Sequence, residues 1–378
     1  MKVVLVGGGT GGHFYPLIAV AEALRKEAQN IGITDLKLYY FSTGPYDRAS
    51  LERLNIIFKK IPAGKRRAYA SHNNFFDIFV MAYGIVIAFF KLFFLYPDIV
   101  FSKGGYASFP TLVIARLLNI PVVIHESDTI PGRVSKWSAK FAKRIAVSWP
   151  ETIKFFPQEK TAVTGQPIRE ELFTPIREGA FRTFNLDEAV HSQRPTIAIF
   201  GGSQGAQSLN EVILDVLPQL LQKYNIIHQT GEKNFKDVEM RSRVVLEKME
   251  NPPYRAYPFL SEDQMRKVAS FTDLIISRAG SFIFEIASWG IPALLVPLSE
   301  DIAHDQRTNA FSYARTGAGT VLEQTNLTPT ILLAEIDRIV FGDAKLAMKQ
   351  SALAFAPLDA AAKITHAILE LALEHENY

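Results

Sequence analysis

Apolar residues in this chain gather in short unbroken runs. Between the runs lie longer stretches in which apolar positions recur every three or four residues. The first run is Val3-Val4-Leu5-Val6, and Ile197-Ala198-Ile199-Phe200 repeats it at the start of the second half. A run of this kind predicts a parallel strand buried on both faces, and the stretches between predict the helices that cover those faces. In the first half this gives a helix over 17–29, strands over 36–41, 56–61, 98–101 and 121–124, and a last strand over 145–148. In the second half it gives a helix over 208–221, strands near 226–228 and over 254–259, 274–276 and 292–297, and a final helix over 361–373. Such alternation is that of an α/β protein with two Rossmann-like parallel-sheet domains facing each other across a cleft. The segment Thr164-Gly165-Gln166-Pro167-Ile168-Arg169 suits a hinge between a first domain, 1–164, and a second, 165–356.

Glycines follow both opening strands: Gly7-Gly8-Gly9-Thr10-Gly11-Gly12-His13 in one half, Gly201-Gly202-Ser203-Gln204-Gly205-Ala206-Gln207 in the other. Without a Cβ the backbone turns tightly and approaches a ligand closely, while the helix behind it aims N–H groups and a positive dipole end at an anion such as a phosphate. Ser102-Lys103-Gly104-Gly105-Tyr106 and His125-Glu126-Ser127-Asp128 end two further strands of the first half, on the edge of an open sheet where ligands sit. In the second half, Ser277-Arg278-Ala279-Gly280-Ser281 opens a helix carrying Glu285, and His304-Asp305-Gln306 begins a helix carrying Asn309.

The segment 75–95 is the most apolar in the chain, broken by Asp77 and Lys91. Its charge-free part, 78–90, falls short of the roughly 20 residues that span a bilayer, and it stands where a crossover helix is needed. Lys65-Arg66-Arg67 just before it, with Phe75, Phe76 and Phe79, suits a helix that also touches an anionic membrane surface. Composition narrows the rest. A length of 378 residues suits two cores, and 48% hydrophobic with 21% charged residues is ordinary for a soluble enzyme. A net charge of +3 is too small to argue for nucleic acid. The absence of cysteine excludes disulfides and thiolate chemistry, and a strand at the very start leaves no room for a secretory leader.

In order and spacing, Gly8-Gly9-Thr10-Gly11-Gly12-His13, Gly104-Gly105-Tyr106, His125-Glu126, Thr164-Gly165-Gln166-Pro167-Ile168-Arg169, Gly201-Gly202-Ser203-Gln204-Gly205-Ala206 and Ser277-Arg278-Ala279-Gly280 resemble the bacterial MurG glycosyltransferases. The resemblance covers nearly the whole chain. It implies the GT-B fold, with the segment 357–378 packing back on the first domain. It also implies inverting transfer of N-acetylglucosamine from UDP-GlcNAc to the C4 hydroxyl of the muramyl sugar of lipid I, giving lipid II. No metal or other cofactor is implied, and the place of work is the cytoplasmic face of the plasma membrane. Three departures stand out. Ser127-Asp128 replaces the family's Gln-Asn, the turn 280–285 is one residue shorter, and His304-Asp305 reverses the usual order.

Such chemistry requires a stabilised leaving diphosphate, a hold on nucleoside and sugar, and a base for the acceptor hydroxyl. The chain contains no Asp-x-Asp pair, so fixed cations and backbone N–H groups are expected at the diphosphate: Thr10, Gly11, Gly12 and Arg169, with Ser203 and Gln204. Gly280 and Ser281 lead to Glu285, whose carboxylate can accept both hydroxyls of a ribose, and Gln306 and Asn309 offer amides to the sugar. For the base, His13 competes with Glu126, Asp128 and His125, and Gly104, Gly105, Tyr106, His125 and Asp128, with Lys103, are expected at the acceptor. Other readings stay open: transfer to another membrane lipid such as diacylglycerol, a UDP-GlcNAc 2-epimerase, or a sugar-nucleotide-binding module.

Overall fold

A computed structural model describes residues 1–64, 73–202, 206–247, 249, 251–298 and 304–376. The chain divides into two units, Met1–Arg169 with Pro357–Tyr378, and Glu170–Ala356.

In the first unit the elements run β1 (Lys2–Val6), α1 (Gly11–Asn30), β2 (Lys37–Ser42), α2 (Arg48–Arg53), β3 (Ile56–Lys60), α3 (Asn73–Leu95), β4 (Ile99–Ser102), α4 (Phe109–Leu117), β5 (Val122–Glu126), α5 (Arg133–Ser138), β6 (Arg144–Val147) and β7 (Thr161–Val163). Among the described residues they form a seven-stranded parallel sheet in the order β3-β2-β1-β4-β5-β6-β7. Side chains alternate across it, so Val3 and Leu5 pack with α1 on one face while Val4 and Val6 pack with Ala88 and Leu92 of α3 and Leu112 of α4 on the other.

Two expectations change here. The strand over 145–148 is not the last, because β7 lies beyond it. At a sheet edge, with Ala162 and Val163 exposed, β7 lacks the apolar run that marks an interior strand. Helix α1 begins at Gly11 rather than after Pro16, giving up one backbone bond at the proline, and this places His13 in the first helical turn.

The second unit runs α6 (Ala180–Thr183), α7 (Glu188–His191), β8 (Thr196–Phe200), α8 (Gln207–Lys223), β9 (Asn225–Gln229), α9 (Phe235–Leu246), β10 (Tyr254–Tyr257), α10 (Glu262–Ala269), β11 (Leu274–Ser277), α11 (Phe282–Ser288), β12 (Ala293–Leu295), α12 (His304–Arg315), β13 (Gly319–Val321), α13 (Pro329–Phe341) and α14 (Lys345–Phe355). Its six described strands are parallel in the order β10-β9-β8-β11-β12-β13, so both sheets grow outward on either side of their first strand. Helix α15 (Ala360–Glu376) belongs to the first unit, where Ile364, Ile368 and Ala372 pack with Val20 and Leu24 of α1.

Gly165, Gln166 and Pro167 lie in the first unit, and the change of unit falls between Arg169 and Glu170. Gly165 has φ +84, and a Cβ there would stand 2.3 Å from Cγ of Pro357, where the chain returns.

Candidate active site

In the first unit the sheet order places β1, β4 and β5 side by side, so the loops at their carboxyl ends are neighbours. Thr10 sits just before α1 in an extended conformation, and Gly11, Gly12 and His13 form the first turn. His13 Nδ1 lies 2.9 Å from Thr10 Oγ1. In the tautomer with the proton on Nδ1 donated to that hydroxyl, Nε2 keeps a free lone pair. Nε2 lies against Gly105, where a Cβ would come within 3.3 Å of it, and Gly9 lies under the Tyr106 ring in the same way, at 3.4 Å. Gly104 and Gly105 take φ of +76 and +80, a bend that lets the second loop close over the first. Loop atoms crowd the His13 ring although the residue keeps some solvent exposure. This desolvation, and secondly the nearby Lys103, lowers its pKa from 6.5 to about 4. His13 is therefore an uncharged imidazole at neutral pH.

The third loop is organised by buried polar groups. His125, expected at the acceptor, is fully buried with Nε2 2.9 Å from the carbonyl of Gly165, so it fixes the segment that leads to Arg169. Burial, then Lys103, holds its pKa well below the ordinary value. Glu126, expected as a competing base, is also buried. Its Oε1 accepts from the N–H of Asp128 at 3.1 Å and its Oε2 from that of Gly132 at 3.0 Å, so the carboxylate shapes the loop. Asp128 is partly exposed beside it. Lys103, expected to touch the acceptor, is only 3% exposed. Its Nζ donates to Ser127 Oγ, which donates to Gln166 Oε1 at 2.9 Å. Arg169 is buried with its guanidinium over the Tyr15 ring, 4.2 Å from the centroid, which brings it to the start of α1.

In the second unit Ser203 and Gln204 lie outside the described residues. Gly280 faces open space, where a Cβ would meet nothing within 4 Å, and Ser281 precedes α11 with Glu285 in the first turn. Helix α12 holds two loop segments, the one before α11 through Asn309 and the one after β12 through Gln306. Asn309, expected at the sugar, is buried and donates from Nδ2 to the carbonyl of Ala279 at 3.3 Å, so it supports the loop from behind. Gln306 accepts from the N–H of Leu298 at 3.3 Å. Arg278, to which the sequence reading assigned no role, is buried. One of its terminal nitrogens donates to the Val296 carbonyl at 2.9 Å and Gln324 Oε1 at 3.0 Å, and the other to Ser208 Oγ at 3.0 Å. It pins the ends of β11 and β12 to the start of α8. An arginine between a buried strand and a glycine was the sequence signal for it.

In the first unit, α3 presents Phe76, Phe79, Phe90 and Phe94 to solvent, with Phe76 67% and Phe94 79% exposed. Lys65, Arg66 and Arg67 lie outside the described residues, as does the side chain of Phe75. The helix is long and apolar enough to span a membrane, with a mean hydropathy of 2.4 over Phe76–Leu95. It nevertheless enters from β3 and leaves to β4, strands of one sheet, and Gly84 packs on the Pro62 carbonyl. It is therefore a crossover helix with one buried edge.

Two parallel sheets of Rossmann strand order, each with a glycine loop behind its central strand, define a two-domain α/β protein of the GT-B class. Sequence models of the glycosyltransferase family 28 N-terminal and C-terminal domains match residues 3–147 and 196–364. A UDP-N-acetylglucosamine–N-acetylmuramyl-(pentapeptide) pyrophosphoryl-undecaprenol N-acetylglucosamine transferase of Bacillus thuringiensis is 34% identical over 89% of this chain and 91% of its own. One from Treponema denticola is 36% identical over 88% of this chain and 86% of its own. The crystal structure of Acinetobacter baumannii MurG superposes with a TM-score of 0.70 at 27% identity, covering 98% of this chain and 99% of that one. The chain belongs to glycosyltransferase family 28 and, within it, to the MurG family of N-acetylglucosamine transferases.

Proposed function

We propose that this protein transfers N-acetylglucosamine from UDP-GlcNAc to the C4 hydroxyl of the muramyl sugar of lipid I, a polyprenyl-diphosphate-linked acceptor, giving lipid II for peptidoglycan synthesis. The observation that carries this reading is a family relationship running through 89% of the chain. The loops support it chemically. His13 Nε2 takes the proton from the attacking hydroxyl, whose oxygen forms the new bond to the anomeric carbon as the bond to UDP breaks. The electron pair leaves with the diphosphate, and one displacement inverts the anomeric centre. The diphosphate meets Arg169, the N–H groups that start α1 at Thr10, Gly11 and Gly12, and Ser203 and Gln204. Glu285 accepts the ribose hydroxyls beside Gly280 and Ser281, Gln306 offers its amide to the sugar, and Asn309 acts by holding that loop. Gly104, Gly105, Tyr106 and Asp128 face the acceptor. With no Asp-x-Asp pair in the chain, fixed cations and N–H groups take the part that a metal plays in other transferases. The exposed phenylalanines of α3 support work at an anionic membrane surface.

The test uses purified protein, labelled UDP-GlcNAc and a lipid I analogue in the presence of a chelator, beside His13→Ala. Transfer that survives the chelator and falls by about a hundredfold or more in the variant is expected, with a β-linked product. Transfer undiminished in the variant moves the base to Asp128. Transfer only to a different lipid identifies another acceptor, and loss on chelation refutes the metal-independent mechanism.

A further inference from the structure

We propose that Lys103 is a positioning residue for the transfer, holding the loop after β5 through Ser127 and setting a cation beside the His13 imidazole. The inference rests on the reading of His13 as the base. Lys103 directly follows β4, and its N–H donates to the Val6 carbonyl at 2.9 Å, which carries the β1–β4 pairing to the start of the first glycine loop. Its Cβ would stand 3.2 Å from a Cβ on Gly7, so the side chain starts directly beneath that loop. The ammonium then reaches Ser127 Oγ, which donates to Gln166 Oε1, and that oxygen also accepts from Ser148 Oγ at 3.2 Å. One continuous polar chain thus links the loops after β4, β5 and β6 to the segment before Arg169.

Charges around the ammonium fall into two groups. Glu126 and Asp128, on the loop after β5, favour its charged form. The imidazoles of His13 from α1 and His125 from β5 feel it as a cation that opposes their protonation. Arg169, over Tyr15, is a further cation packed near the start of α1. Burial pulls the pKa of the Lys103 ammonium down to about 8, and Glu126, Asp128 and the Ser127 hydroxyl offset only part of that cost, so it remains mostly charged at neutral pH. The departure from the family's Gln-Asn acquires a physical account. Ser127 accepts from the ammonium, and Asp128 favours its charged form. Lys103, Ser127 and Asp128 act as one unit.

The test is a histidine NMR titration of the full-length protein, with the His13 resonance assigned by its loss in His13→Gln. It compares wild type with Lys103→Met, Lys103→Arg and Ser127→Ala, alongside the pH dependence of kcat/KM. Lys103→Met is expected to raise the titration of His13 by about one pH unit and to move the acidic limb of the activity profile upward equally. Lys103→Arg should keep the wild-type titration. Ser127→Ala should leave the titration in place while lowering kcat several-fold as the loop loosens. An unchanged His13 titration in Lys103→Met overturns the proposal; should that variant not fold, Lys103→Gln provides the same comparison. Full transfer by His13→Gln would refute His13 as the base while the titration still reports on Lys103, so the two failures are distinct.

Discussion

The imidazole of His13 and the backbone of Gly105 fit against each other so closely that a Cβ on Gly105 would stand 3.3 Å from Nε2. Gly105 also holds φ +80, where alanine is strained by about 1 kcal/mol. Gly105→Ala is therefore expected to fold with slightly reduced stability and to lose about tenfold in kcat, because the ring must shift by a few tenths of an ångström from the attacking hydroxyl. Steady-state kinetics check this, with the KM for UDP-GlcNAc expected to stay near wild type.

Stability should depend on pH through the buried histidines. Desolvation lowers His228 to about 3 and His125 well below 6.5, and His13 sits at about 4. In the unfolded chain all three titrate near 6.5, so below that pH the unfolded state binds protons that the folded state refuses. Stability is full above about pH 6.5 and falls as pH drops toward the folded values, by up to about 1.4 kcal/mol per pH unit for each fully buried histidine. Urea midpoints at pH 7.5, 6 and 5 measure the slope, and a flat profile would contradict it.

Arg278 joins three loop ends of the second unit through the Val296 carbonyl, Gln324 and Ser208. Desolvation brings its pKa down to about 10, so it stays charged at neutral pH. Arg278→Met leaves those neutral acceptors without their donor and is expected to cost about 2 kcal/mol in thermal unfolding. A rise in the KM for UDP-GlcNAc larger than that for the acceptor should accompany it.

Tyr15 supports the Arg169 guanidinium from below, at 4.2 Å. Tyr15→Leu keeps an apolar support without the ring's negative face, a loss of about 1 kcal/mol. Weaker UDP binding by about fivefold in calorimetry is the expected result, and equal affinity would show that the stacking is idle.

The exposed edge of α3 yields a prediction that leaves the chemistry alone. Phe79→Glu combined with Phe94→Glu changes solvent-facing positions, so the fold should persist. Co-sedimentation with vesicles rich in anionic lipid should fall about tenfold or more, while transfer to a water-soluble acceptor analogue is retained. Undiminished co-sedimentation would place the membrane contact elsewhere.

Much of the fold was written in local pattern. Strands buried on both faces show as unbroken apolar runs, and the glycines behind β1, β4 and β8 mark the turns that form the loops, because strand burial and turn geometry depend on a few adjacent residues. Edge strands β7 and β13 were not legible, since they are three residues long and half exposed and so carry no run. The family and the glycine loops were legible as well; that His13 stands in the first turn of α1 was not, because Pro16 hid the true start of the helix. What tertiary structure alone decided is which polar side chains brace the loops. His125 bonds to Gly165, Asn309 to Ala279, Lys103 to Ser127, and Arg278 to Ser208 and Gln324, all between segments that only the sheet order brings together. A buried polar group must find a partner, and that partner is fixed by the neighbouring strand rather than by the neighbouring residue.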